Sequence, residues 1–253
     1  MKKIISILSL IAIVFTSCSN DENQSPVIVS STLVKKIANI KGDNVVYSEN
    51  ITYDGNKIIS ITNENGYETK YYYTGNLITK QEEIDANGKL DITTNFIYAE
   101  EKLITSIIRK EGLLNYDKIE YVYNLDETIS YKRVSINSQT EVQYYTVREG
   151  KLTFKNGNLI KDEYFQGIEH TIIFEYDNKN NPKKNIIGFE APLNVENYEG
   201  SVNNMKKLTH ISGSVGNIHV YKVTYNYKYD KNDFPTEKIA IGDDSTEIAQ
   251  YIY

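Results

Sequence analysis

The chain of 253 residues has one cysteine, no tryptophan, three histidines and four prolines. A single thiol closes no internal disulfide and offers no cysteine-based zinc site. His170, His210 and His219 stand at neither HxH nor HxxxH spacing, so each reads as a solvated or cross-strand residue and no metal site is expected. GxSxG, HExxH, the P-loop and GxGxxG are all missing, which leaves serine hydrolases, zinc hydrolases and nucleotide-binding folds without support; no cofactor and no catalytic residue is expected. Basic residues number 28 against 34 acidic, and a surface of that sign has no electrostatic reason to bind nucleic acid. No stretch carries apolar residues at helical period over ten or more positions, and no apolar run after the N-terminus reaches the length of a transmembrane helix.

What stands at the N-terminus is a secretory signal. Residues 1–17, MKKIISILSLIAIVFTS, combine two lysines, an apolar run from Ile4 to Phe15 and small polar residues before Cys18. A cysteine in that place resembles a bacterial lipobox, with Phe15 where leucine is usual; the resemblance implies that Cys18 is acylated and that attachment to the membrane comes through the lipid. An ordinary signal peptide with an incidental cysteine is the other reading. Loss of Lys2 and Lys3 with the signal takes the charge from −6 to −8. Residues 18–31, polar, acidic and proline-bearing, read as a flexible tether. The Ser-Asn-Asp-Glu run behind Cys18 is similar to the export signal of Bacteroidota lipoproteins, which implies an outer-membrane lipoprotein facing the cell surface, with the periplasmic face as the alternative.

From residue 32 to 253 the chain is rich in Tyr, Ile, Thr and Val, punctuated by Gly, Asn and Asp, which is strand chemistry. An aromatic residue before a turn recurs at Tyr53, Tyr73, Tyr98, Tyr123, Phe154, Tyr176, Tyr198 and Tyr229, at intervals of 20 to 31 residues. Such a period is an internal repeat, and each unit makes sense as a hairpin. Asp54-Gly55 and Gly75-Asn76 suit two-residue turns that need positive φ; Asn180 and Asp233 take the equivalent place in longer turns, and Pro182 and Pro235 fall at a strand's first position or on an edge. In YKVTYNYKY, Tyr221, Val223, Tyr225, Tyr227 and Tyr229 alternate with Lys222, Thr224, Asn226 and Lys228, so one face is buried and one wet. In IEHTIIFEY, Ile168, Ile172, Phe174 and Tyr176 share a face against Glu169, Thr171 and Glu175. The expectation is one all-β domain over 32–253, an antiparallel meander of about 16 strands. Accumulated twist and exposed edges favour closing or coiling it into a barrel. The weaker alternation of 188–218 suggests an irregular excursion over one end.

Tyr176-Asp177 and Tyr229-Asp230, each followed by a turn and a short strand, are similar to the tyrosine-aspartate units of RHS-type proteins. With the lipobox and the string of hairpins, the chain resembles a family of uncharacterised Bacteroidota lipoproteins with a porin-like β fold, a family that brings no catalytic residues to carry over. The 22 tyrosines fit a cross-strand aromatic ladder, or rows that stack on sugars or peptides. Asp177 to Asn181 and Asp230 to Asp233 lack the ligand pattern of a calcium loop and read as Asx turns. A spanning barrel would put the apolar alternate positions against lipid, but Glu247 shares the face of Tyr251 and Tyr253, which argues against it. The functional expectation is a lipid-anchored envelope or cell-surface protein with a binding or structural role and a glycan or protein ligand. The alternative is a carbohydrate-active enzyme using a carboxylate pair that sequence does not single out.

Overall fold

The computed structural model describes residues 32–41, 44–189, 200–214, 216–243 and 245–253; the signal 1–17, the tether with Cys18 and the unit at Tyr198 lie outside the described residues. The described residues form sixteen strands: β1 Lys36–Lys41, β2 Asn44–Asp54, β3 Lys57–Asn63, β4 Glu68–Thr74, β5 Leu77–Ile84, β6 Leu90–Ala99, β7 Lys102–Lys110, β8 Asn115–Tyr123, β9 Thr128–Asn137, β10 Gln143–Lys155, β11 Asn158–Gln166, β12 Ile168–Asn180, β13 Asn203–Ser214, β14 Asn217–Tyr229, β15 Pro235–Ile241 and β16 Thr246–Ile252. Each pairs antiparallel with its neighbours in sequence, and β1 pairs with β16, so the meander closes into a barrel as expected.

The repeat maps onto one end of that barrel. Its aromatic pairs across the turn with an aliphatic residue: Tyr53 with Ile58, Tyr73 with Ile78, Tyr98 with Leu103, Tyr123 with Ile129 and Phe154 with Leu159. These aliphatics are buried and form the core together with Ile51, Phe96, Tyr121 and Phe174. A register shift beside Tyr53, Tyr73, Tyr98 and Phe154 places a bulge at the same point of those units, which bends the hairpins inward over the core.

Hydroxyls then tie each unit to the one before it. Tyr98 donates to the carbonyl of Ile78 at 2.9 Å, Tyr176 to that of Leu159 at 2.8 Å, Tyr253 to that of Pro235 at 2.9 Å and Tyr53 to that of Val34 at 2.7 Å; the Ile58 amide donates to the Tyr73 hydroxyl at 3.2 Å. The aromatic ladder expected from sequence is thus mainly a ring of aromatic–aliphatic pairs and tyrosine-to-backbone bonds. The segment 181–189 closes this end as a cap: Ile186 joins the core and the Ile187 carbonyl accepts from Tyr73 at 3.0 Å. Gly188, at φ +72, sits where a Cβ would lie 2.6 Å from the Asn76 carbonyl, so only glycine lets the cap approach so closely.

The excursion therefore starts at 181 and not 188, because β13 takes up a regular course from Asn203. Pro182 lies in the cap and not in a strand, and Asn180 ends β12 without a positive φ; Asp233 at φ 65 and Pro235 at the start of β15 stand as expected. The chain enters the barrel at the capped end, where the Lys35 amide bonds the Ile252 carbonyl. The opposite end, carrying the loops around 64–67, 85–89, 111–114, 138–142 and 242–245, is the rim.

Candidate functional site

Cross-strand partners share a face, so register decides which residues enter the lumen. The inward set includes the buried apolar residues of every unit. The outward set is mixed: it holds Tyr116, Val134 and Ile136, packed with Ile107 on the face of Lys118, and the exposed Ile97, Val122, Ile173 and Ile252, beside charged residues that pair. Lys132 stands opposite Glu149, Lys207 opposite Glu175 and Lys228 opposite Glu237, each as an ion pair, and the outward pairs Lys80–Glu82, Lys118–Glu120 and Lys161–Glu163 lie along single strands. The main core therefore lies inside the barrel, and the outer face combines lysine–glutamate pairs with apolar residues. A lysine held at the bilayer midplane costs about 2–4 kcal/mol, and this surface carries many.

Two polar arrays occupy the lumen. The first crosses β9 to β13. Asp162, fully buried, accepts from the Tyr131 hydroxyl at 3.0 Å and pairs with Arg148. The Arg148 guanidinium lies 3.5 Å from the Tyr164 ring centroid; Tyr164 stacks on His170 at 4.4 Å and 7°, and His170 Nδ1 meets His210 Nε2 at 3.0 Å. Gly150 makes this possible: a Cβ there would fall 2.4 Å from the Glu163 carbonyl, 2.6 Å from Tyr164 Cβ and 2.9 Å from the Tyr131 hydroxyl. Desolvation and the neighbouring Arg148 lower the pKa of both imidazoles, with His210 adding to the effect on His170. The pair is a stacked element of the wall. Among the described residues no group of three His, Cys, Asp or Glu side chains could hold a metal. Sequence spacing missed the pair because it forms across β12 and β13, although His170 shares the parity of Ile168 and Ile172, already assigned inward. His219 is exposed near the rim.

The second array is a cavity of about 310 Å³ beneath the cap. Its wall runs from Ile37 and Asn39 on β1 and Glu49 on β2 to Tyr225 and Tyr227 on β14; Lys238, Ala249 and Tyr251 fill the wall between, and Asn181 to Lys183 form the roof. The small Ala249 on the inward face of β16 leaves room there between Tyr227 and Asn39. Charges nearly balance, with Glu49 against Lys183 and Lys238. Glu49 accepts from Tyr47 at 3.0 Å, Lys238 lies 5.9 Å from the Tyr225 ring, and Tyr227 donates to the Met205 carbonyl at 2.9 Å while stacking on Tyr229. Such a wall offers aromatic faces, amides, one carboxylate and two ammonium groups.

The acids flagged by the sequence serve structure. Asp230 accepts from the amides of Asn232 and Phe234, both at 2.9 Å, as an Asx turn; Asp177 accepts from the amides of Lys179 and Asn204 and from the Tyr229 hydroxyl. Glu49 is the only acid lining the cavity, so the described wall holds no carboxylate pair of the kind glycoside hydrolysis uses. Cys18, the expected lipid attachment site, lies outside the described residues.

No family model matches the chain, and no curated protein matches it. Among solved structures, it is similar to a porin-like protein from Bacteroides uniformis, at a TM-score of 0.53 and 14% identity, over 87% of this chain and 96% of that one. At that identity the likeness establishes a shared fold, in agreement with the sixteen-strand barrel.

Proposed function

We propose that this is a lipid-anchored envelope protein, held at the outer membrane through Cys18 and facing the cell surface, whose cavity binds a small, uncharged polar ligand of the glycan class. The observation that carries the reading is the set of lysine–glutamate pairs on the barrel's outer face. With ion pairs outside and apolar and aromatic residues inside, the barrel suits water on its outer face, leaving a lipid to do the anchoring and the lumen to hold a ligand. The porin-like fold is in keeping with an envelope location. The cavity lies at the low end of the ligand-pocket range, roughly 300–1,000 Å³. Its amides and hydroxyls disfavour lipids, and Tyr225, Tyr227 and Tyr251 provide aromatic faces and hydroxyls suited to sugar rings.

Protease shaving of intact cells tests the location, with Cys18→Ala and a periplasmic marker as controls. Cleavage of the wild-type barrel while the marker survives supports it; resistance until the outer membrane is opened refutes the surface assignment. A glycan array probed with wild type and with Ala249→Phe tests the ligand. The filled cavity should lose whatever the wild type retains, and equal retention by both would reject the cavity as the site.

A further inference from the structure

The cavity wall contains a carboxylate that the fold holds in place and leaves half-used. Glu49 faces the lumen from β2, with Asn63 directly opposite it on β3. The Asn63 side-chain oxygen accepts from the amides of Asn65 at 2.9 Å and Tyr67 at 3.1 Å, which turns its Nδ2 toward Tyr47. That Nδ2 donates to the Tyr47 hydroxyl at 3.3 Å, and the hydroxyl donates to Glu49 Oε1 at 3.0 Å. The chain of bonds orients the carboxylate and occupies one of its oxygens. Asn39 on β1 is the diagonal neighbour of Glu49, since Asn39 stands opposite Tyr47 and Ile37 opposite Glu49. Diagonal neighbours lie about 7–8 Å apart, so both side chains can reach one ligand. The register of β1 on β2 shifts just past Asn39, and a bulge at such a point re-aims the side chains beside it.

Most other polar groups of this wall are engaged. Tyr227 donates to the Met205 carbonyl, Asn181 to the Asn203 carbonyl and Asn204 to the Asn180 carbonyl, while Lys183 and Lys238 lie against the rings of Phe189 and Tyr225. Among the described residues, the Asn39 amide, Glu49 Oε2 and the Tyr225 hydroxyl meet no hydrogen-bonding partner. Asn39 also borders Ala249, the smallest side chain of the wall, which has Lys238 on its other side.

We infer that Glu49 and Asn39 together bind two adjacent hydroxyls of a sugar ring seated over Ala249, and that Glu49 sets which sugars are accepted. A carboxylate only accepts hydrogen bonds, so the ligand group facing it must donate; an amide does both, so its partner can do either. Adjacent hydroxyls on one ring meet both demands. Charge narrows the class in the same direction. Glu49 repels a ligand acid at this wall, and Lys183 and Lys238 repel a ligand cation, which leaves a neutral polyol. The assignment rests on the cavity being the glycan site proposed above. On that footing the pair selects a pyranose with a free vicinal diol and refuses one in which either hydroxyl is missing, because the site's polar groups would then be left unpaired.

Titration calorimetry of the full chain tests this, with the methyl pyranosides of glucose, galactose and mannose and the monodeoxy analogues of each. At least one parent sugar should bind wild type and be lost in Ala249→Phe. One of its deoxy analogues should bind roughly 10- to 100-fold more weakly, the loss expected for a hydrogen bond to a charged group. In Glu49→Gln, which keeps the shape of the side chain, that penalty should all but vanish, because variant and analogue remove the same bond. Asn39→Ala should cancel the penalty at the adjacent hydroxyl and keep the wild-type urea midpoint, since its amide bonds nothing in the protein. Tyr47→Phe should shrink the Glu49 penalty by freeing the carboxylate to turn. A penalty unchanged in Glu49→Gln, with binding still lost in Ala249→Phe, overturns the role of Glu49 and leaves the cavity as the site. If wild type binds none of the sugars, or Ala249→Phe binds them equally, the cavity is not a sugar site and the role of Glu49 falls with it.

Discussion

Asp162 is the residue on which the lumen wall depends most. It is fully buried and holds both Tyr131 and Arg148, and Arg148 in turn lies against the Tyr164 face. A buried carboxylate is tolerable only while its partners remain, and the same is true of the cation left behind. Asp162→Asn should therefore destabilise the barrel by about 3–5 kcal/mol, because Arg148 loses its counter-charge in a wall where its side chain is only 11% exposed. The urea midpoint measures this. A loss below about 1 kcal/mol would mean that Arg148 swings out to water and that the array is a surface ion pair.

At the scale of the hairpin, the tyrosines that lock one unit to the next share an ionisation behaviour. Burial raises the hydroxyl pKa of Tyr73 and of Tyr176 to about 12, and raises those of Tyr53 and Tyr98 as well. An unfolded tyrosine titrates near 10, so above that pH the unfolded chain gives up protons that the folded chain keeps. Stability is consequently whole below pH 10 and falls as pH rises from about 10 toward 12. The 295 nm absorbance difference between wild type and Tyr98→Phe should appear together with the circular dichroism change of unfolding; its appearance near pH 10 in a folded barrel would contradict the ring of bonds. The hairpins themselves were legible in the sequence, since Gly55 and Gly75 take the positive φ assigned to them. The turn at Glu100 and Glu101, at φ 50 and 62, was not, because two glutamates carry none of the usual turn chemistry and the flanking strands impose the conformation. The partners of the tyrosine hydroxyls were likewise hidden, because they are backbone carbonyls and amides of the preceding unit, which no side-chain pattern encodes. In YKVTYNYKY the alternation holds from Val223 onward and fails at Tyr221, where the strand has outrun its neighbour and both faces meet water.

For the whole molecule, the decisive property is which face of the sheet is apolar. Period-two alternation is the same for a barrel filled with side chains and for one facing lipid, so the sequence could not assign the inside from alternation alone. Closure places the main core inside: tyrosines and aliphatics converge beneath the cap, while lysine–glutamate pairs lie on the outer surface beside the Tyr116–Val134–Ile136 cluster. On the proposed reading the outer surface faces water and membrane association resides in an acylated Cys18. On detergent phase separation, wild type from cell membranes should enter the detergent-rich phase, and Cys18→Ala should remain almost entirely in the aqueous phase while keeping its β circular dichroism. One acyl chain alone binds only marginally, so the multiply acylated form is the one expected to partition fully. A folded Cys18→Ala protein that still followed the detergent would locate the membrane affinity in the barrel wall and overturn the anchored reading, because no lipid would be left to account for it.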